Sequence, residues 1–203
     1  MSCFSTYNAH LIATGVGGLA TTNDPVLARL IRSLANHGRS GIYTGIDDEL
    51  GNVEVIDSRF RFERPGYSSR CTEMEAAIGC AELDVWEENL RIRKANADLL
   101  TQALSDLPLV LPKVRPGSQS ANMMYPVRAQ DRVVRDALVT HLETRGIETR
   151  YCLPLTNQPY IDCEDRYPVA KMVNETSFYV GCHQHLSLED VGRIADSFHG
   201  FWR

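Results

Sequence analysis

The segment at residues 2–22 constrains this chain most, because a polar, glycine-rich turn joins two short strand-like runs there. The runs cover residues 2–6 and 19–22, and the turn between them carries Ser5 and His10. Its glycines permit tight bends and let a ligand come close to the backbone. A histidine in such a turn can carry protons near neutral pH, although a structural role is the more common one.

The spacing of residues in this turn resembles a segment of the sugar-aminotransferase family often called DegT/StrS, whose members use pyridoxal phosphate (PLP). The matching residues are Ser5, His10, the run Thr14-Gly15-Val16-Gly17-Gly18 and the run Thr22-Asn23-Asp24. In the family, the lysine that forms a Schiff base with PLP stands at the position of His10. A serine five residues earlier contacts the cofactor phosphate. The resemblance therefore implies that Ser5 binds the cofactor, whereas Val16 departs from a glutamate of the family pattern.

Histidine in place of that lysine resembles the sugar 3-dehydratase branch of the family, such as GDP-4-keto-6-deoxymannose 3-dehydratase. Those enzymes hold pyridoxamine phosphate (PMP) without a covalent link. An imidazole cannot recapture the cofactor as a Schiff base, yet it can take a proton from the cofactor's methylene carbon. The chain has three lysines, all distant from the turn in sequence: Lys94, Lys113 and Lys171. The resemblance therefore implies that His10 is a catalytic base.

A second match covers residues 66–79, which read Gly-Tyr-Ser-Ser-Arg-Cys-Thr-Glu-Met-Glu-Ala-Ala-Ile-Gly. In the family, an asparagine at the position of Ser68 contacts the cofactor phosphate of the other subunit, so the resemblance implies that Ser68 is cofactor-binding. Thr72 and Glu75 also fit a helix capping box, and capping is the interpretation we favour for these two residues. Arg150 stands where the family places a residue near the sugar nucleotide, which implies a substrate-binding role.

The resemblance implies an α/β fold, namely the C-terminal part of a fold-type I PLP-dependent transferase. We expect residues 1–107 to form the end of the large cofactor-binding domain with a long connecting helix. Residues 108–203 would form the small C-terminal α/β domain, since prolines and a glycine at residues 108–117 mark a connector. The resemblance covers only the second half of the family. It also implies a homodimer, because the family's active site draws residues from two subunits.

Helical spacing predicts two helices in the first part of the chain. One begins at Asp24-Pro25, ends with Gly38 at the C′ position, and carries an apolar stripe that we expect to be core. Its stripe consists of Val26, Leu27, Leu30, Ile31 and Leu34. The other helix covers residues 73–104 and is expected to expose a basic face of Arg91, Arg93 and Lys94. Between them, residues 39–65 predict a loop whose acidic residues 47–49 are solvated.

The remainder of the chain predicts alternating strands and helices. Strands are expected at residues 121–127, 147–151 and 178–181, and helices at residues 131–145, at residues 168–174 and after Ser187, with Asp190 completing its capping box. The run Cys182-His183-Gln184-His185 contains metal-binding residue types. Further ligands at suitable spacing are missing, so a structural turn is the favoured interpretation and no metal is expected.

The composition fits a soluble globular protein of the cytoplasm. A formal net charge of −5 over 203 residues gives no general affinity for nucleic acid or for anionic membranes. No apolar run is long enough to cross a bilayer, and we see no signal peptide. The six cysteines form no C-x-x-C pair, which indicates reduced thiols.

Three hypotheses about function follow from these observations. The leading one is 3-dehydration of a nucleotide-linked 4-keto-6-deoxy sugar, with PLP or PMP as cofactor, in deoxysugar, lipopolysaccharide or O-antigen biosynthesis. The second is a nucleotide-sugar aminotransferase of the same family, which would need a suitably placed lysine. The third is a truncated, non-catalytic remnant or an interaction subunit.

Overall fold

The computed structural model describes residues 1–40, 61–152, 159–160 and 166–203. It divides into two compact units, Met1–Asp84 and Val85–Arg203. The acidic residues 47–49 of the predicted loop lie outside the described residues. The domain boundary expected near residue 107 lies beyond the point at which the two units divide, and it remains a prediction.

The first unit contains a small sheet, one complete helix and the start of a second helix. Strands β1 (Ser2–Ser5) and β2 (Gly18–Thr21) pair antiparallel, with Ser5 opposite Gly18. Helix α1 (Pro25–Ala35) begins as predicted, because the Asp24 carboxylate accepts the backbone N–H groups of Val26 and Leu27. Helix α2 (Glu73–Ala103) then begins in this unit and ends in the second one.

The end of α1 differs by one position from the prediction. Asn36 is the C-cap, so His37 takes the C′ position with φ of 61° and Gly38 follows it with φ of 80°. The Gly38 N–H donates to the Ser33 carbonyl at 2.7 Å, which is the long hydrogen bond of a Schellman turn. The N–H of His37, in this left-handed position, donates to the Tyr67 carbonyl at 2.8 Å.

The prediction that the α1 stripe is core is wrong for this chain. Val26 is 59% exposed, and Leu27 and Leu30 are each 37% exposed. Among the described residues of the first unit, no apolar side chain is buried; the buried side chains there are the polar Thr6 and Ser33. The helix is amphipathic as predicted. The helical spacing of its apolar residues does not show whether another part of the protein covers them.

The second unit contains a three-stranded sheet with helices, as the sequence predicts. Its strands are β3 (Met124–Arg128), β4 (Thr149–Tyr151) and β5 (Ser177–Gly181), and its complete helices are α3 (Arg132–Glu143), α4 (Pro168–Thr176) and α5 (Leu188–Phe201). The strand order is β3-β5-β4, and both pairings are antiparallel. Asp131 caps α3, and the predicted capping box of Ser187 and Asp190 begins α5.

The hydrophobic core of the described chain lies in the second unit. It joins the end of α2 to one face of the sheet and to the inner faces of α3 and α5. Its fully buried large side chains include Leu100, Leu104, Tyr125, Val127, Leu138, Leu142, Phe178, Val180 and Phe198. Helical spacing predicted the inward positions among them that belong to helices or follow one directly, namely Leu100, Leu104, Leu138, Leu142 and Phe198.

Arg93 does not belong to an exposed basic face, which corrects the prediction. Its side chain is 3% exposed, and its Nε donates to Gln184 Oε1 at 2.8 Å. Arg91 and Lys94 are exposed and pair with Glu88 and Asp98 on the same helix. Arg93 is therefore turned away from solvent, and Gln184 accepts the hydrogen bond of its buried Nε.

Candidate functional site

The turn after β1 is organised around Tyr7. The Tyr7 N–H donates to the Ser5 hydroxyl oxygen at 3.2 Å, and the Tyr7 carbonyl accepts the His10 N–H at 2.9 Å. The Ser5 hydroxyl and the backbone of His10 are thus both bonded to the same residue, Tyr7. Because the Ser5 oxygen accepts this bond, the Ser5 hydroxyl keeps its proton to donate to another group. Ser5 is exposed and His10 is half-buried.

Two threonines hold the far side of the turn. Thr14 donates its N–H to the Thr6 carbonyl at 2.8 Å, and Thr6 donates its N–H to the Gly17 carbonyl at 3.2 Å. The Thr14 hydroxyl lies 2.8 Å from the Val16 carbonyl and 2.7 Å from the Thr6 hydroxyl. A carbonyl can only accept, so Thr14 donates to Val16 and accepts from Thr6. This two-threonine clasp fixes the shape of the turn.

Sequence reasoning missed the part played by Thr6, although the signal was present. Two hydroxyl residues flank the turn at residues 6 and 14, and Gly17 follows in a left-handed conformation with φ of 123°. A Cβ on Gly17 would lie 3.1 Å from the Thr6 hydroxyl oxygen. Glycine is therefore required there both by conformation and by the clasp.

The turn packs against the first part of α2. A Cβ on Gly79 would lie 3.2 Å from Thr14 Cγ2, so the glycine admits the threonine methyl group to the helix surface. The residues of the second sequence match, which begin this helix, thereby support the residues of the first. Both matches fall within one compact unit.

Ser68 lies at the end of α1. It forms an isolated antiparallel bridge with Asn36, and its neighbours Tyr67 and Ser69 donate their N–H groups to the carbonyls of Leu34 and Ala35. The Ser68 side chain is exposed. These bonds tie Ser68 to α1, whereas the bonds of Ser5 and His10 tie those residues to each other through Tyr7. A role for Ser68 toward the cofactor remains a prediction.

Thr72 and Glu75 cap α2, as the capping interpretation predicts. The Glu75 carboxylate accepts the Thr72 N–H at 2.7 Å and also contacts the Thr72 hydroxyl. These bonds lower the pKa of Glu75, since they favour its charged form. Both side chains are engaged in starting the helix.

Arg150 lies on β4 in the second unit. Its guanidinium contacts the Glu148 carboxylate and donates to the Thr149 carbonyl at 2.9 Å. The side chains of Arg150 and Glu148 are 60% and 72% exposed, so this pair is solvated. A substrate-binding role for Arg150 remains a prediction.

Strand β4 is tied to α3 from its other face. The Glu143 carboxylate accepts both the N–H and the hydroxyl of Thr149, at 2.6 and 2.7 Å. These bonds lower the pKa of Glu143, with a smaller contribution from the nearby charge of Arg150. The Arg135 guanidinium lies 4.2 Å from the centre of the Tyr151 ring. Thr149 and Tyr151 face α3, so Arg150 faces away from it.

The segment Cys182 to His185 forms a structural turn. The His183 carbonyl accepts from Leu186 N–H at 3.3 Å and from Asn96 Nδ2 at 3.1 Å, and the Cys182 thiol is fully buried. Burial raises the pKa of that thiol to about 11. Within the described ranges, no three His, Cys, Asp or Glu side chains are grouped to hold a metal ion.

The chain belongs to the DegT/DnrJ/EryC1/StrS aminotransferase family, whose model matches residues 1–199. A dTDP-4-dehydro-2,6-dideoxy-D-glucose 3-dehydratase of Saccharopolyspora spinosa is 28% identical over 99% of this chain and 48% of its own length. The lipopolysaccharide biosynthesis protein RfbH of Salmonella typhimurium is 29% identical over 98% of this chain and 50% of its own length. A 4-aminotransferase of S. spinosa, acting on dTDP-4-dehydro-2,3,6-trideoxy-D-glucose, is 29% identical over 93% of this chain and 49% of its own length.

Solved structures show the same fold. DesV of S. venezuelae, in complex with a ketimine intermediate, is 26% identical, with a TM-score of 0.81 over 99% of this chain and 51% of that one. GDP-4-keto-6-deoxy-D-mannose-3-dehydratase of E. coli, with bound hydrated PLP, matches with a TM-score of 0.74 at 22% identity, over 97% of this chain and 53% of that one. The chain spans about half the length of the proteins it matches, consistent with part of a fold-type I chain.

The family contains both sugar 3-dehydratases and sugar aminotransferases. The expected α/β fold and family membership are confirmed, and the choice between the two reactions depends on the residues of the site. None of the helices in the described ranges is long and apolar enough to span a membrane.

Proposed function

We propose that this chain carries the proton-transferring histidine of a PLP/PMP-dependent site that catalyses 3-dehydration of a nucleotide-linked 4-keto-6-deoxy sugar. One observation carries the proposal: His10 stands where aminotransferases of the family carry lysine, and residues 1–84 contain no lysine. The first unit, which holds the turn, therefore offers no lysine side chain for a covalent link to the cofactor.

The residues of the turn fit a phosphate-bearing cofactor. Ser5 is exposed and has a hydroxyl proton to donate, which is the chemistry that a phosphate oxygen requires. The backbone N–H of His10 donates to the carbonyl of Tyr7, the residue whose N–H is held by Ser5. Ser68, on a second loop of the same unit, is a further hydroxyl donor for a phosphate. PMP, when bound, supplies an amine for the sugar ketone and an electron sink.

His10 would perform the proton transfers in this proposal. Its imidazole nitrogen accepts a proton from a carbon acid at the site and returns it to the hydroxide that leaves C3. Its side chain is half-buried, so it can meet a ligand without being sealed inside the protein. The two-threonine clasp fixes the shape of the turn that carries His10. Arg150 would bind the anionic part of the nucleotide sugar.

The products of the reaction test this proposal. The full chain, with PMP added, would be incubated with GDP-4-keto-6-deoxymannose and the sugar product analysed by mass spectrometry. We expect a product that has lost the C3 oxygen, and we expect His10→Asn to abolish it while Asn8→Ala, a neighbouring polar change, leaves it. A 4-amino sugar formed by the wild type with glutamate as the amine donor would support the aminotransferase hypothesis instead.

A binding experiment tests the non-catalytic alternative. Titration of the chain with PMP, followed by absorbance, should show saturable binding that Ser5→Ala weakens. Absence of any binding by the isolated chain would support a remnant or an interaction subunit.

A further inference from the structure

An open cavity of about 480 Å³ lies in the second unit, between the turn after α3 and one face of α5. It is lined by Arg145, Glu189, Arg193, Asp196 and Ser197. All of these except Arg145 belong to α5, and their helical spacing places them on one face of that helix. The cavity therefore brings together two guanidinium groups and two carboxylates, none of which has a role in the site already described.

The opposite charges of the cavity do not pair with one another. Glu189 precedes Arg193 by four positions, which is the favourable order and spacing for an ion pair along a helix. Glu88 and Arg91 form a pair of this kind on α2. Within the described ranges, neither Arg193 nor Arg145 forms an ion pair with a carboxylate. Both guanidinium groups are therefore available to a ligand.

Arg193 is directed toward the turn after α3. A Cβ on Gly146, the residue that follows Arg145, would lie 4.0 Å from Arg193 Nη1. The Asp190 carboxylate interacts electrostatically with Arg193, but it is already bonded to the N–H and the hydroxyl of Ser187 in the capping box. The position of Arg193 thus leaves its charge without a carboxylate committed to it.

Arg145 is held in place by the half-buried His141. His141 Nε2 lies 3.0 Å from the Ser197 carbonyl, which can only accept, so Nε2 carries the proton of the neutral ring. Nδ1 then accepts from Arg145 Nη1 at 3.1 Å, and the His141 carbonyl accepts from the same nitrogen at 3.3 Å. These bonds use one nitrogen of the guanidinium. In the part of the chain that the structure describes, Nε and Nη2 of Arg145 make no hydrogen bond, so their N–H groups remain for a ligand.

We propose that this cavity binds the zwitterion of an α-amino acid. Arg145 and Arg193 bind its carboxylate, because a guanidinium matches two carboxylate oxygens. Glu189 and Asp196 accept the N–H groups of its ammonium group. A ligand with charge of one sign would meet two side chains of the same sign, so the cavity selects against simple anions and simple cations. Its volume also admits the amino-acid side chain. The inference goes beyond the proposed function and uses no residue of the turn that carries His10.

Binding of amino acids to the full chain without cofactor tests the cavity. Calorimetry would compare the twenty protein amino acids. We expect saturable binding of at least one of them, and binding about tenfold or more weaker for the same molecule without its ammonium group or without its carboxylate. For alanine, these analogues are propionate and ethylamine. Arg145→Gln and Arg193→Gln should each weaken binding about tenfold, and Glu189→Gln and Asp196→Asn should weaken it as well. Losses from removal of either sign of charge exclude a general electrostatic effect.

The exposed pair on α2 provides the matched control. Arg91 and Glu88 are 69% and 57% exposed, and Arg91→Gln and Glu88→Gln change the net charge by the same amounts as the cavity variants. Both should leave binding unaltered. His10→Asn should also bind normally, which separates the cavity from the turn of the first unit.

Four results would overturn the proposal. They are no amino-acid binding up to about 10 mM, equal affinity for an analogue that carries a single charge, equal losses at the α2 pair, and loss of binding in His10→Asn. The proposed function can fail independently, because formation of the 3-deoxy product depends on His10 and not on the cavity.

Discussion

At the scale of single residues, small groups decide the geometry of the first unit. Gly38 and Gly66 bring two loops into direct contact, since a Cβ on Gly38 would lie 1.8 Å from the Arg64 carbonyl oxygen. A Cβ on Gly66 would lie 2.1 Å from the Gly38 nitrogen. No real Cβ fits at such distances from backbone atoms, so either loop must move if its glycine is replaced. The loop that carries Ser68 depends on this close approach.

Replacement of Gly38 by alanine should therefore destabilise the first unit more than its conformation alone requires. Gly15 is the matched control, because its φ of 85° resembles the 80° of Gly38 and its Cβ would meet open space. We expect Gly15→Ala to lower the free energy of unfolding by about 1 kcal/mol, because alanine is strained in a left-handed conformation. We expect Gly38→Ala to lower it by about 3 kcal/mol, because overlap with the backbone adds to that strain. Hydrogen exchange of α1 amides in increasing urea measures both. Equal losses in the two variants would show that the loops separate at no cost.

Residue-level prediction from sequence succeeded where the cause is local. Asp24, Thr72 and Ser187 cap helices through bonds to residues within three positions, so a short window contains the whole cause. Arg93 could not be predicted, because its burial depends on Gln184, which is 91 residues further along the chain. The neighbours of Arg150 also depend on strand register, where a shift by one residue reverses the faces.

At the scale of elements, a capping box begins the last helix of the core. Ser187 accepts the Asp190 N–H at 3.1 Å, and the Asp190 carboxylate accepts the Ser187 N–H at 3.0 Å. We expect Ser187→Ala to lower the free energy of unfolding by about 1 kcal/mol. Urea denaturation followed by circular dichroism measures this loss, with Ser118→Ala, an exposed serine in the connection between α2 and β3, as the control. A decrease in the free energy of unfolding no larger than that of the control would contradict a stabilising role for the capping box.

The same box should make stability depend on pH. Its hydrogen bonds hold the pKa of Asp190 below the ordinary value. Because the pKa of Asp190 is lower in the folded state, its ionised carboxylate stabilises the fold fully above the ordinary aspartate pKa. This stabilisation is lost as the pH falls through the lowered pKa. We expect Asp190→Asn to reduce this acid dependence, measured as the change in unfolding midpoint between neutral and acidic buffer. An unchanged pH profile would show that the carboxylate has no such role.

Strand β4 is short, and its position depends on Glu143. We expect Glu143→Ala to accelerate hydrogen exchange at the Thr149 amide, since the carboxylate is the acceptor of that N–H. Glu88→Ala, which removes an exposed carboxylate on α2, should leave the Thr149 amide unchanged. Because the pKa of Glu143 is lowered, the protection should be lost as the pH falls through that lowered value. Equal exchange of the Thr149 amide in wild type and Glu143→Ala would show that the Glu143 carboxylate does not protect this amide.

At the scale of the whole molecule, the two units differ in how much apolar surface they bury. All buried apolar side chains of the described ranges lie in the second unit. The first unit exposes Phe4, Leu19 and three residues of the α1 stripe, Val26, Leu27 and Leu30. Sequence patterns predicted the helices of both units, because period reflects local amphipathicity. They could not predict burial, which depends on whether a partner surface is present.

Protection from hydrogen exchange should follow this difference. Amides of α3 and β5 are expected to exchange only by global opening of the second unit, because their side chains reach the core. Amides of β1 and β2 should exchange much faster, since every residue of those strands is exposed. Comparable protection in the two sheets would contradict this division and would indicate that the first unit is covered in solution.

The most direct test of the central claim concerns the link between residue 10 and the cofactor. Wild type and His10→Lys would each be loaded with PLP, reduced with borohydride and digested, and the peptides analysed by mass spectrometry. We predict no cofactor on residue 10 of the wild type, because imidazole forms no reducible link, and a reduced adduct on residue 10 of His10→Lys. A specific adduct on Lys94, Lys113 or Lys171 of the wild type, together with transfer of an amine to the sugar, would contradict the account.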